Sequence, residues 1–129
     1  MYEDLTIADL TSEGRRILWE ESRPNDEIGD CWFDLAKVLI ILHHRKPDVE
    51  IFKGWCAEIG IFWRCAYDVM NLRKRFLQQE IEPPKGISWK ALSFTAPVLT
   101  WKNKDHLFQL CREKKLRELK VLVKEYPRE

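Results

Sequence analysis

One continuous stretch of this chain, residues 52–71 (FKGWCAEIGIFWRCAYDVMN), limits the possible folds more than any other. Apolar residues recur at the spacing of one helical face before Gly60, and they do so again after it. Glycine reaches the left-handed backbone conformation that ends many helices without a steric penalty. Small side chains on either side of the turn, Cys56 and Ala66, would let two helices approach closely. The stretch therefore predicts two short helices joined by a tight turn at Gly60.

Two helices of this kind can serve different purposes. They match the physical description of a helix-turn-helix, in which the second helix enters the major groove of DNA. They equally match an ordinary helical hairpin inside a small bundle. The spacing of the apolar residues leaves both interpretations open.

The chain before residue 80 predicts four helices, and no run of alternating residues is long enough for a strand. The second helix is expected to start at a cap on Asn25 or Asp26 and to end before Pro47. Its wide apolar stripe makes it the most buried helix, and Asp48 is expected to cap the next one. The predicted spans are 6–22, 25–45, 48–59 and 61–79.

Residues 80–86 (EIEPPKG) contain two prolines and a glycine, so they predict a hinge between residues 1–79 and residues 87–129. Ser88 is expected to cap a short helix after the hinge. The apolar phase then slips across residues 112–115, which predicts two further helices. The predicted fold class is all-α: a small helical bundle containing a helix-turn-helix at about residues 48–79, with a short C-terminal helical unit.

Composition restricts the class of protein. With 129 residues, of which 45% are apolar and 33% charged, the chain is expected to form one soluble globular domain. No segment approaches the ~18 apolar residues of a membrane span. The N-terminus, MYEDLTIADL, lacks the features of a signal peptide. We therefore expect a cytoplasmic protein that makes no membrane contact.

The cysteines and histidines do not form a recognisable metal-binding or catalytic pattern. The four cysteines include no CxxC pair, so they are expected to be reduced and to act as small apolar residues. His43 and His44 fall at the end of a predicted helix, where cations suit the helix dipole. The sequence also has no phosphate-binding Gly-rich loop, HExxH motif or serine elbow. It therefore predicts no enzyme activity, metal or cofactor.

Charge is distributed unevenly along the chain. Residues 1–36 carry 3 basic and 10 acidic side chains, whereas residues 37–129 carry 19 basic and 11 acidic side chains. An acidic N-terminal region followed by a basic region is consistent with binding of a polyanion by the basic region. The same distribution of charge would also arise if both regions simply had ordinary solvated surfaces.

Residues 60–70, Gly-Ile-Phe-Trp-Arg-Cys-Ala-Tyr-Asp-Val-Met, resemble part of a family of small helix-turn-helix proteins carried by phages, plasmids and bacterial chromosomes. In that family the turn and second helix commonly read Gly-Ile-Ser-x-Arg-Thr-Ala-x-x-Tyr-Met. The matching positions are Gly60, Ile61, Arg64, Ala66 and Met70, with Trp55 in the preceding helix. Residues 87–89 and 107–123 also resemble segments of plasmid partition and replication regulators of the ParB/KorB type.

The resemblance implies a protein that binds double-stranded DNA as a transcriptional or replication regulator, and that forms a homodimer to read a symmetric site. In this interpretation Arg64 and Asn71 contact base edges, and the basic cluster at residues 73–75 contacts phosphates. The expected DNA-contacting residues are Lys53, Phe62, Trp63, Arg64, Tyr67, Asn71, Arg73, Lys74 and Arg75.

The same residues support a second hypothesis. Where the family usually carries Ser, Gln, Thr or Arg, this chain has the bulky Phe62, Trp63 and Tyr67, and Asp68 would repel phosphate. Exposed aromatic residues are typical of protein-binding hot spots. The alternative is therefore a protein-interaction module, such as a phage-type inhibitor or adaptor. Aromatic side chains packed inside would favour DNA, and aromatic side chains exposed together would favour a protein partner.

Overall fold

The computed structural model describes residues 2–21 and 32–126. Within them a 3-10 turn at Tyr2–Asp4 precedes seven α-helices, and there is no strand, so the predicted all-α class is confirmed. The predicted helix start at Asn25 or Asp26 lies outside the described residues, as does Cys31. The helices are α1 (Ile7–Glu21), α2 (Trp32–Arg45), α3 (Val49–Ile59), α4 (Trp63–Gln78), α5 (Trp89–Thr95), α6 (Lys104–Glu113) and α7 (Leu116–Val123).

Helix α2 lies at the centre of the N-terminal helices and packs against both α1 and α4. It contains six buried residues, against five in the longer α4, which confirms that its wide apolar stripe is the most deeply buried. At its start the Trp32 ring meets the ring of Phe76 on α4 edge to face, with centroids 5.4 Å apart. This aromatic pair fixes the position of α4 against the core.

Helices α1 and α3 approach closely because α1 has a glycine at their contact. A Cβ atom built on Gly14 would lie 2.9 Å from Cδ1 of Ile59 on α3. Next to it, the Nε–H of Arg15 donates a hydrogen bond to the backbone oxygen of Glu58, at 2.8 Å. The first helix is thus held against the end of α3.

Most of the predicted helix ends follow the local sequence signals. Asp48 accepts a hydrogen bond from the N–H of Ile51 at 3.1 Å, and Ser88 accepts one from the N–H of Ala91 at 3.2 Å. Both predicted caps are therefore confirmed. The predicted break at residues 112–115 is also present, since α6 ends at Glu113 and α7 begins at Leu116.

The segment 80–86 contains no helix, yet it is anchored in the core by Ile81, which is 4% exposed. Helices that precede and follow this segment are in contact. The ring of Phe76 on α4 stacks on the ring of Phe108 on α6, with centroids 6.0 Å apart. The C-terminal helices thus pack onto α4 as well as onto one another. The division of the chain into two units at a hinge stays a prediction.

None of the described helices has both the length and the apolar character that crossing a membrane requires.

Candidate functional site

The candidate site is the junction of α3 with α4 and the solvent-facing side of α4. Gly60 has a φ of +101°, and the N–H groups of Gly60 and Ile61 both donate to the backbone oxygen of Cys56, at 2.9 and 3.0 Å. Ile61 is buried, whereas Phe62 takes the extended N-cap position of α4. The predicted tight turn at Gly60 between two helices is therefore confirmed.

The solvent-facing side of α4 is mostly polar, and the exposed Leu77 near its end is the exception among the described residues of this helix. Arg64, Asp68, Asn71 and Lys74 are all exposed, and their spacing of three or four residues places them in one stripe along the helix. Partial burial raises the pKa of the Asp68 carboxyl from its ordinary value. The stripe presents two cations and an amide, with one carboxylate between them.

The three aromatic residues at the start of α4 have different surroundings. Phe62 is 59% exposed, whereas Trp63 and Tyr67 are half-buried. The Tyr67 ring lies against Phe52 of α3 and His43 of α2, with centroid distances of 5.1 and 5.6 Å. Tyr67 is thus part of the packing between three helices, and Phe62 is the aromatic residue of this group that faces solvent.

Two cations lie over the ring of Trp63. The Nζ atom of Lys53 is 4.4 Å from the ring centroid, and the guanidinium carbon of Arg64 is 5.2 Å from it. Lys53 also forms an ion pair with Glu50, at 3.4 Å. The indole ring therefore brings together two of the predicted DNA-contacting cations, one from each helix.

The predicted basic cluster at residues 73–75 is divided by the fold. Arg73 donates from Nη1 to the backbone oxygen of Phe33 at 3.0 Å, and its guanidinium lies 3.9 Å from the centroid of the Phe33 ring. Burial lowers the pKa of Arg73, although Asp34 opposes this effect. Arg73 therefore binds α4 to α2.

Arg75 turns toward the other side of α4. Its Nε donates to the backbone oxygen of Leu99 at 3.0 Å, and its Nη2 is buried without a hydrogen-bond partner among the described residues. Only Lys74 of the three consecutive cations is fully exposed. Both arginines are half-buried, and each has one guanidinium nitrogen bonded to a backbone oxygen of the protein.

The sequence predicts that Asp68 repels phosphate, so Asp68 is not among the expected DNA-contacting residues. In the structure it lies in the middle of the exposed stripe, four residues after Arg64 and three before Asn71. Its carboxylate opposes the charge of both cations in the stripe.

The described residues offer no metal site of the usual kind, since no group of three His, Cys, Asp or Glu side chains comes together in them. Cys56 and Cys111 are free thiols within the described ranges. Burial raises the pKa of the Cys56 thiol to about 12 and that of Cys111 to about 11. Cys56 therefore acts as a small apolar residue of the core.

No protein-family model, curated protein or solved structure matches this chain. The family resemblance of residues 60–70 thus stays a prediction, and the arrangement of the side chains carries the functional argument.

Proposed function

We propose that this protein binds double-stranded DNA and that α3 and α4 form a helix-turn-helix whose second helix, α4, enters the major groove. The observation that carries the proposal is the polar stripe of Arg64, Asp68, Asn71 and Lys74 on the exposed side of α4. Of the three aromatic side chains that could obstruct a groove, Tyr67 is turned away from it, because it packs against α2 and α3. Phe62 is exposed, and Trp63 is half-buried beside Arg64.

Each exposed residue of the stripe has a chemical role in this proposal. Arg64 can form paired hydrogen bonds with guanine and Asn71 with adenine, and Lys74 contacts phosphate. Lys53 adds a cation next to Arg64 at the start of α4. We assign Arg73 and Arg75 to holding α4 in position, because their guanidinium groups bind backbone oxygens of Phe33 and Leu99.

The test uses fluorescent duplexes about two helical turns long, first of random sequence and then of the sequences enriched by selection on the protein. We expect Asn71→Ala to reduce the preference for the enriched sequence and Lys74→Gln to weaken binding to all duplexes alike. Lys85→Gln is the matched control, since Lys85 is exposed but lies outside α3 and α4. A protein that binds no duplex even at low salt would refute the proposal.

The second candidate function is recognition of another protein. It is favoured by Phe62, which is 59% exposed beside the cation-covered ring of Trp63. Aromatic and arginine side chains at the centre of a surface are typical binding hot spots. Phe62→Ala separates the two candidates, because it would remove a protein contact while leaving the polar stripe of α4 intact.

The substitution Asp68→Asn distinguishes the two candidate functions independently of Phe62→Ala. Removing this carboxylate should strengthen duplex binding several-fold, because Asp68 repels phosphates from the centre of the stripe. Burial raises the pKa of Asp68, so duplex binding by the unmodified protein should also strengthen as the pH falls through that pKa, and binding by the variant should depend less on pH. If Asp68→Asn instead weakens binding of a captured protein and leaves duplex binding unchanged, the second candidate is correct.

A further inference from the structure

Residues 112–126, near the C-terminal end of the chain, carry an excess of basic side chains. Between residues 112 and 126 there are six basic and three acidic side chains. All six basic residues are exposed, and none forms an ion pair with a described residue. They are Arg112, Lys114, Lys115, Arg117, Lys120 and Lys124.

Three of these cations lie along one side of α7. Leu119 and Val123 anchor the helix in the core, and Lys124 is the C-cap that follows its last residue. The spacing of three and then four residues aligns Arg117, Lys120 and Lys124 in a stripe, which at 1.5 Å per residue is about 10 Å long. We refer to these three residues as the α7 cation stripe.

We propose that the α7 cation stripe contacts the phosphate backbone of the DNA that α4 binds, an inference that rests on the proposed function. The sequence placed the phosphate contacts in residues 73–75, but the fold engages Arg73 and Arg75 internally. The largest group of exposed cations outside α3 and α4 lies in and around α7. Helix α5 packs against both α4 and α7, so a single helix lies between the two helices that carry the stripes.

Duplex DNA has the charge that complements this stripe. It carries about one phosphate charge per 1.7 Å of axis, so a duplex running along a 10 Å stripe presents on the order of six charges to it. Lysine and arginine contacts of this kind position a protein on DNA without reading its sequence. The α7 cation stripe should therefore raise affinity for all duplexes while α4 supplies the preference for particular ones.

The test is the salt dependence of duplex binding by a triple variant, Arg117→Gln, Lys120→Gln and Lys124→Gln, of the full chain. Each phosphate contact that is lost should reduce the slope of log K against log salt concentration by roughly 0.9, so the three together should reduce it by up to about 3. Binding at about 0.1 M salt should weaken at least about tenfold. Glutamine has nearly the same helix propensity as lysine and arginine, so α7 should remain folded.

Glu118 on α7 and Glu125, two residues past its end, provide a matched control in the same segment. Both are exposed, and neither lies in the α7 cation stripe. Glu118→Gln with Glu125→Gln makes the same kind of substitution but removes negative charge, so binding should be unchanged or stronger and the slope should be preserved. A loss of binding in this control would show that any substitution in α7 disturbs the protein, and it would overturn the assignment.

The outcomes separate this inference from the proposed function. If the triple variant binds duplexes with the slope of the unmodified protein while Lys74→Gln weakens binding, the inference is wrong and the proposed function stands. If the unmodified protein binds no duplex, both fail. If the triple variant alters only the sedimentation of the protein, α7 contacts another copy of the chain, and the phosphate assignment is again wrong.

Discussion

Two glycines inside helices, Gly14 of α1 and Gly54 of α3, provide a direct test of the packing described above. A glycine within a helix is less favourable than alanine by about 1 kcal/mol. Replacement by alanine therefore offers the same gain at both positions. The two surroundings differ, because a Cβ on Gly54 would meet no atom within 4 Å, whereas one on Gly14 would lie 2.9 Å from Cδ1 of Ile59.

The expected changes in the free energy of unfolding follow from these distances. Gly54→Ala should stabilise the protein by up to about 1 kcal/mol. At Gly14 the new methyl group would also lie 3.1 Å from Cγ1 and 3.4 Å from Cγ2 of Ile59, whose side chain is 2% exposed and cannot turn into solvent. Overpacking of this kind costs about 1–3 kcal/mol. Gly14→Ala should therefore be less stable than Gly54→Ala by that amount.

Thermal unfolding followed by circular dichroism measures the difference. For a chain of this length each kcal/mol shifts Tm by about 4 °C, so the two variants should differ by roughly 4–12 °C. Ile59→Val supplies the control, because it removes the Cδ1 methyl and should make Gly14→Ala less harmful than it is alone. Equal gains at both glycines would refute the close packing of α1 against α3.

Three further predictions test the helix end, the core and the basic cluster. Glu80 has a φ of +56°, so Glu80→Gly should stabilise the protein to denaturant by about 0.5–1 kcal/mol, whereas Glu82→Gly should not. Burial raises the pKa of Cys56 to about 12. Because only the unfolded chain then releases the thiol proton, the stability of the protein should fall as the pH rises from about 9. Mass spectrometry should also find that Cys56 is alkylated slowly until the chain unfolds. Arg73→Ala should cost at least about 1.5 kcal/mol in denaturant unfolding because it removes a charged hydrogen bond, while Lys74→Ala should cost less than about 0.5 kcal/mol.

The sequence predicts those parts of the fold that depend on neighbouring residues. Asp48 and Ser88 cap helices by binding N–H groups three residues ahead, and Gly60 ends α3 through its own backbone conformation. Such features are visible in a short window of sequence. The contacts of Arg73 and Arg75 are not, because their partners Phe33 and Leu99 are 40 and 24 residues away.

The same limit applies to the aromatic residues of the candidate site. Phe62 and Tyr67 are both aromatic and lie five residues apart. Only Tyr67 of the two is partly buried, because His43 of α2 and Phe52 of α3 pack against it. The number of aromatic or basic residues in a segment therefore overestimates how many of them are exposed, because the fold engages some of them in internal contacts. The side chains that stay exposed are those available for binding, so the proposed phosphate contacts are Lys74 and the α7 cation stripe, whereas Arg73 and Arg75 bind backbone oxygens within the protein.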